Sequence, residues 1–225
     1  MDWEMPMLQR MTIEIEYRIK NKPVFLSTSW PGYIGCLTGM RLAQAGNPDT
    51  GYGVSINYRR TGTSLADVAK NFMLGAVRSW PIGYLIRKVL TDTASYSVAL
   101  EQLANSDLMA PVYIIISGSR ASQGALLTRD RGGDVHRKYL TPTDPVVQTN
   151  MDHFRDDDEY DEQNICHSVP RRQLAGQFFE SLGERRTFDD LWQLCNLEPI
   201  YASDNIYTVS MSAGIGEYTS VVQRR

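Results

Sequence analysis

Residues Thr12 to Ile19 alternate with a period of two: Ile13, Ile15, Tyr17 and Ile19 fall on one side, with Glu14, Glu16 and Arg18 on the other. Successive side chains of a strand point to opposite faces, so this pattern specifies a strand with one apolar face. Asn21-Lys22-Pro23 supplies a turn, and the next run, Val24 to Gly35, is apolar enough to be largely buried. The chain thus opens with a hairpin. We expect it to form the inner side of a site in which the first residues matter chemically.

Beyond it the pattern switches repeatedly. Val54 to Arg59 alternates as a strand. Ser64 and Asp67 resemble a capping box for a helix running toward Val77, which would bury Leu65, Val68, Phe72 and Val77. Pro81 can occupy the first turn of a second helix through Tyr84, Leu85 and Val89, and a third spans Ser95 to Asn105. Strands return at Pro111 to Ser117 and at Ala125 to Thr128, which pair across a turn, then at Asp134 to Leu140 and Val146 to Asn150. After an acidic loop, Asp156 to Glu162, read as solvated, helices are expected over Arg171 to Leu182 and Phe188 to Leu197, the second opened by Thr187. Ile206 to Met211 and Glu217 to Val222 close the chain as strands. Strands and helices occur in blocks, which predicts layered α+β packing in a single domain over residues 1–225.

Several chemistries drop out. A net charge of −3 with scattered arginine pairs offers no phosphate-tracking stripe, so nucleic acid is not an expected partner. The most apolar run, Met109 to Ile116, suits a buried strand and is too short to span a bilayer. No signal segment is recognisable at Met1, so the chain reads as cytoplasmic if complete. Cys36, Cys166 and Cys195 form no spaced framework, and Cys36 lies in an apolar setting where cysteine serves as a small hydrophobe. His136, His153 and His167 lack zinc-ligand spacing, and the acidic run Asp156 to Glu159 lacks the glycine of a calcium loop. No metal and no cofactor is implied. Three polar signals remain. Asn150 ends a predicted strand, where its amide either closes an Asx turn or donates to an oxyanion. Asn57 lies inside a strand, where asparagine is unfavoured. Arg171-Arg172 opens a helix at the end that repels cations, which points to a partner carboxylate or a substrate.

Taken in order, these segments resemble the acid ceramidase and N-acylethanolamine acid amidase family, relatives of bile-salt hydrolases and penicillin V acylases. Met1-Asp2-Trp3 looks like the end of that family's Arg-Asn-Met/Leu-Asp-aromatic motif. Gly32 to Gly39 is similar to its Gly-Tyr-Val-Gly-x-x-Thr-Gly segment, Asn57-Tyr58-Arg59 to Asn-Glu-Arg, and Leu127 to Arg131 to Ile-Thr-Arg-Asn/Asp-Arg. Thr149 to Asp152 matches Thr-Asn-Tyr-Asp, Arg171-Arg172 the end of Asp-Asp-Arg-Arg, and Ile206-Tyr207-Thr208 the Tyr-Thr-Thr strand.

The resemblance implies an N-terminal-nucleophile (Ntn) hydrolase: an αββα sandwich of two packed, mainly antiparallel sheets flanked by helices. Its autocleaved precursor exposes a cysteine as the first residue of the catalytic β-subunit. The thiol attacks an amide carbonyl while its own α-amino group accepts the proton. It further implies catalytic roles for Asp2, Asn150 and Arg171, with substrate contacts from Asn57, Trp30 and Tyr33 and an acyl slot shared with Phe25. The implied substrates are ceramide or N-acylethanolamines, the implied partner an α-subunit, and the implied setting a lysosome. This chain departs from the pattern in three places. The nucleophilic cysteine and the motif arginine would precede Met1, Tyr58 stands for the glutamate of Asn-Glu-Arg, and Val169-Pro170 replaces the acidic pair. An N-terminally truncated, inactive catalytic subunit is therefore expected. Its alternatives are a non-catalytic lipid- or partner-binding relative and an amidase of bile-salt or penicillin-acylase type.

Overall fold

The computed structural model describes residues 6–59, 65–76, 79–131, 135–141, 144–154, 167–183 and 187–222. Its largest element is a seven-stranded antiparallel sheet in sequence order. The strands are β1 (Ile13–Ile19), β2 (Lys22–Ser29), β3 (Thr38–Arg41), β4 (Tyr52–Tyr58), β5 (Val112–Gly118), β6 (Gly124–Arg129) and β7 (Val135–Tyr139). A short helix, α1 (Pro6–Met11), precedes β1, and α2 (Leu65–Ala76), α3 (Ile82–Asp92) and α4 (Tyr96–Asn105) lie between β4 and β5. The C-terminal part contributes α5 (Ser168–Leu182), α6 (Phe188–Cys195) and a two-stranded sheet of β8 (Tyr207–Ser212) and β9 (Glu217–Val222).

The alternation within each strand decides which layer covers it. Phe25, Tyr52, Val54, Ile114, Ile116 and Leu127 face one side and form the main core with Leu85, Ile86, Leu90 and Leu103 of α3 and α4. Two fully or nearly buried arginines on this side reach the helix C-termini, where carbonyls lack intrahelical donors. Arg41 donates to the carbonyls of Leu90 and Thr91, and Arg129 to those of Leu103 and Ser106. The opposite side of β1–β4 carries the small sheet. Thr28 meets the Tyr218 hydroxyl at 2.8 Å, Glu14 accepts from the backbone and hydroxyl of Ser220, and the Tyr207 hydroxyl lies 3.4 Å from Thr38 Oγ1. Gly53 is what lets β8 approach: a Cβ there would lie 3.0 Å from the Met211 sulfur. With α6 packed outside β8, the layers run helix, sheet, sheet, helix.

Four expectations need correction. The first turn is Lys20–Asn21, not Asn21-Lys22-Pro23, because Ile19 pairs with Lys22 and both loop residues adopt positive φ, the geometry that suits a two-residue hairpin. Pro23 instead lies within β2, next to the register shift at Tyr17/Arg18. The hairpin also lies at the rim of the large sheet: among the described residues β1 is one of its two edge strands, and Ile13 and Ile19 remain exposed. On α2, Phe72 is 80% exposed, because the helix turns the neighbouring Asn71 inward to accept from Arg131 Nε at 2.5 Å. Finally, Val146 to Asn150 forms no strand: the Gln148 carbonyl accepts from the Asn57 side chain, and the Asn150 side chain donates to the Tyr58 carbonyl, in place of a backbone ladder. The N-cap Ser64, Val77 and the acidic loop lie outside the described residues, as do the side chains of Leu65, Asp67 and Val68.

Candidate active site

Beyond the edge of the small sheet, the large sheet's face is covered by the segment 148–154. The cleft between this segment and β8 has a volume of about 460 Å³ and is lined by Ser55, Asn57, Asn150, Arg171, Tyr207 and Thr208, among others. Antiparallel pairing keeps Ser55 and Asn57 on the face toward β8, while Asn150 arrives from the irregular segment and Arg171 from the first turn of α5.

Asn150 is held by three contacts. Its backbone N–H donates to Ser168 Oγ at 3.1 Å, its Nδ2 donates to the carbonyl of Tyr58 at 2.9 Å, and its Oδ1 accepts from Arg171 Nη2 at 2.8 Å. A guanidinium only donates, so the amide oxygen must face Arg171 and the nitrogen must face the sheet. One Nδ2 proton is used by Tyr58, leaving a second donor on a side chain that lines the cleft. Asn57 is used differently: its Nδ2 donates to the carbonyl of Gln148 at 2.8 Å.

The arginine pair at the start of α5 also finds its explanation here. Arg171 binds the Asn150 amide, and Arg172 Nη1 donates to the main-chain carbonyl of Asp152 at 3.3 Å. Asp152 itself is 4% exposed and takes two hydrogen bonds from Arg59, 2.8 and 3.0 Å, plus one from the Tyr113 hydroxyl at 2.8 Å. Burial works against the Arg59 charge, but the hydrogen bonds to Asp152 offset it, leaving the guanidinium more firmly protonated than usual. These residues sit in segments whose sequence was suggestive, yet Arg59, Tyr113 and Asp152 were not singled out. The signal was the opposite charge of Arg59 and Asp152, which becomes informative only once β4 and the 148–154 segment are known to meet.

Not every expected residue reaches the cleft. Trp30 is buried against Ile206 and Tyr207, with Tyr33 half-buried beside it. Tyr207 connects this aromatic group to the cleft, and burial, foremost, raises its hydroxyl to about 12. Phe25 belongs to the helix-side core, stacked on Tyr17. Asp2 lies outside the described residues. A second, mainly apolar cavity of about 690 Å³ shares Ile56, Asn57 and Tyr58 with the cleft and is lined by Leu37, Ile82, Met109 and Val112. Tyr58, 59% exposed, stands at the junction. Cys36 is fully buried, and desolvation, opposed by its hydrogen-bond contact with the Ser27 hydroxyl, raises its thiol to about 11. Cys195 borders the cleft, and burial raises its thiol too. Among the described residues, no group of three potential ligands is placed to hold a metal.

No family model matches the chain. Individual relatives do. It is 30% identical over 212 residues to N-acylethanolamine-hydrolyzing acid amidase of Rattus norvegicus, covering 92% of this chain and 53% of that protein. It is 26% identical over 217 residues to acid ceramidase of Mus musculus, covering 95% and 51%. The chain thus spans about half the length of these curated relatives. The solved structure of the Caenorhabditis elegans N-acylethanolamine-hydrolyzing acid amidase ortholog superposes with a TM-score of 0.79 at 23% identity, covering 95% of this chain and 86% of that one. Over nearly its whole length, this chain is therefore a homologue of N-acylethanolamine-hydrolyzing acid amidase and acid ceramidase, folded as an Ntn hydrolase.

Proposed function

We propose that this chain forms the catalytic half of an N-acyl lipid amide hydrolase whose nucleophile is a cysteine at a processed N-terminus preceding Met1 in the complete protein. Neither described cysteine suits the task. A terminal nucleophile can use its own α-amino group as base, whereas Cys36 and Cys195 are internal and burial disfavours both thiolates. The observation that carries the reading is the Asn150 amide. Arg171 fixes its orientation beside a cleft that shares Ile56, Asn57 and Tyr58 of β4 with an apolar cavity. An amphiphilic amide can place its acyl chain along Leu37, Ile82, Met109 and Val112 and its carbonyl near Asn150.

The chemistry then follows in two steps. The thiol adds to the amide carbonyl, and Asn150 donates to the oxygen as it becomes anionic. The tetrahedral species collapses, the C–N bond breaks, and the amine departs with a proton. Water then hydrolyses the acyl thioester, returning the thiol and a fatty acid. Asp2 would hold the terminal amine or thiol in place. Arg171 would serve the site by setting the Asn150 amide, and the names of the relatives point to operation at acidic pH.

The test is expression of the complete reading frame, including the sequence that precedes Met1, with assays on an N-acylethanolamine, a ceramide and a conjugated bile salt. We expect thiol-dependent release of fatty acid from the first two, and none from residues 1–225 alone. Asn150→Ala should lower kcat by about 10²–10³-fold, the usual cost of one oxyanion donor. Full activity in that variant, or turnover of the bile salt alone, would sink the assignment.

A further inference from the structure

One cross-strand row on the cleft side of the large sheet has no part in the chemistry above. Asn57 pairs with Tyr113, Tyr113 with Thr128, and Thr128 with His136, so the four side chains line up across β4 to β7 on one face. Each meets the 148–154 segment. Asn57 donates to the Gln148 carbonyl at 2.8 Å, and the Tyr113 hydroxyl donates to Asp152 Oδ1 at 2.8 Å. Thr128 Oγ1 lies 3.1 Å from His153 Nδ1, and the His136 and Phe154 ring centroids are 4.3 Å apart. The segment has no ladder of its own, so this row of side chains sets its path.

We propose that Asp152 is a positioning residue for Asn150, acting through this grip; the proposal rests on the amidase assignment. Its buried carboxylate is the point where the row, Arg59 and the segment converge, two residues from Asn150. Arg59 directly follows Tyr58, whose carbonyl takes the Asn150 Nδ2 proton. The Arg59–Asp152 fork and the Tyr58–Asn150 bond therefore tie the last residue of β4 and the residue after it to two residues of the segment. Releasing the fork frees the segment to drift. A misplacement of about 1 Å at a reacting group typically costs on the order of 10²-fold in rate.

Asp152→Asn keeps the volume but turns an acceptor oxygen into an NH₂ group that faces a donor on Arg59. In the complete protein we expect kcat to fall by about 10–100-fold and KM to move less than about threefold, the pattern of a group that matters in the transition state. The deciding measurement is the double variant. If Asp152 acts through Asn150, adding Asp152→Asn to Asn150→Ala should change kcat by less than about threefold, because both remove the same contribution. Equal losses in both backgrounds would overturn the proposal and leave the amidase assignment standing. If the complete protein turns over no N-acyl amide, that assignment fails instead, and positioning is read in the 225-residue chain by NMR. The Asn150 side-chain amide pair, assigned by its loss in Asn150→Ala, should exchange at least about tenfold faster in Asp152→Asn if the segment opens locally. An unmoved pair rejects the positioning role.

Discussion

Two asparagines at the cleft show how much a residue's role depends on its neighbours. Asn57 is unfavoured in a strand, and the reason for it is the Gln148 carbonyl, which only a donor at that position can satisfy. Asn150 has the same side chain, but Arg171 takes its oxygen, so its nitrogen faces the Tyr58 carbonyl on a side chain that lines the cleft. His153, three residues on, carries a pH consequence. Burial and then Lys138 disfavour its charged form, lowering its pKa from the ordinary value near 6.5. The unfolded chain therefore binds a proton that the folded chain refuses. Stability should fall as pH drops through about 6.5 and keep falling until the folded ring titrates at its lower pKa. Urea melts at successive pH values should show this slope, and His153→Gln should flatten it. A variant with an undiminished slope between pH 7 and 5 would place the effect elsewhere.

At the scale of elements, the groups that cap helix starts were legible for α4 and α6, and those that complete the ends of α3 and α4 were not. Thr187 and Asp190 form a capping box within four consecutive residues, and Ser95 caps α4 through Val98, so local sequence contains both partners. The C-termini of α3 and α4 are completed instead by Arg41 and Arg129, strand residues dozens of positions from their partners or placed by a separate hairpin. No local pattern can reveal that. The same limit explains the strand wrongly expected at Val146 to Asn150. Its bonding partners are the Asn57 side chain and the Tyr58 carbonyl of β4, which become neighbours only through the fold. Arg129 gives the test. It is fully buried, and Arg129→Met would leave the carbonyls of Leu103 and Ser106 without their donor. At about 1–3 kcal/mol for each unsatisfied buried group, we expect a loss of about 3 kcal/mol in a denaturant titration. A loss below about 0.5 kcal/mol, the scale of an ordinary surface change, would show that these carbonyls find other partners.

For the whole molecule, the order of strand and helix blocks was enough to give layers, while the motifs were needed to identify which layered fold. Neither indicated that the two sheets would be so unequal. Seven strands share the large sheet and its helical core, whereas β8 and β9 have only each other as strand partners among the described residues. A lone two-stranded pair is marginal in water, so its stability must come from what it packs on. Here that is Tyr207 against Trp30 and Thr38, Tyr218 against Thr28, and Met211 over Gly53. Cleft geometry therefore depends on the weaker layer, because β8 forms one wall and β4 the other. Amide hydrogen exchange on this chain should accordingly show β8 and β9 opening at lower free energy than β4 to β6, as a separate sub-global unit. Tyr207→Ala should widen that gap. Removing a buried aromatic ring typically costs about 3–5 kcal/mol, and the cavity would lie between the sheets, away from the α3–α4 core. Protection in β8 and β9 should then collapse while that of β5 and β6 changes far less. Uniform loss across both sheets would mean that the sandwich opens as one body and that the cleft has no weaker wall.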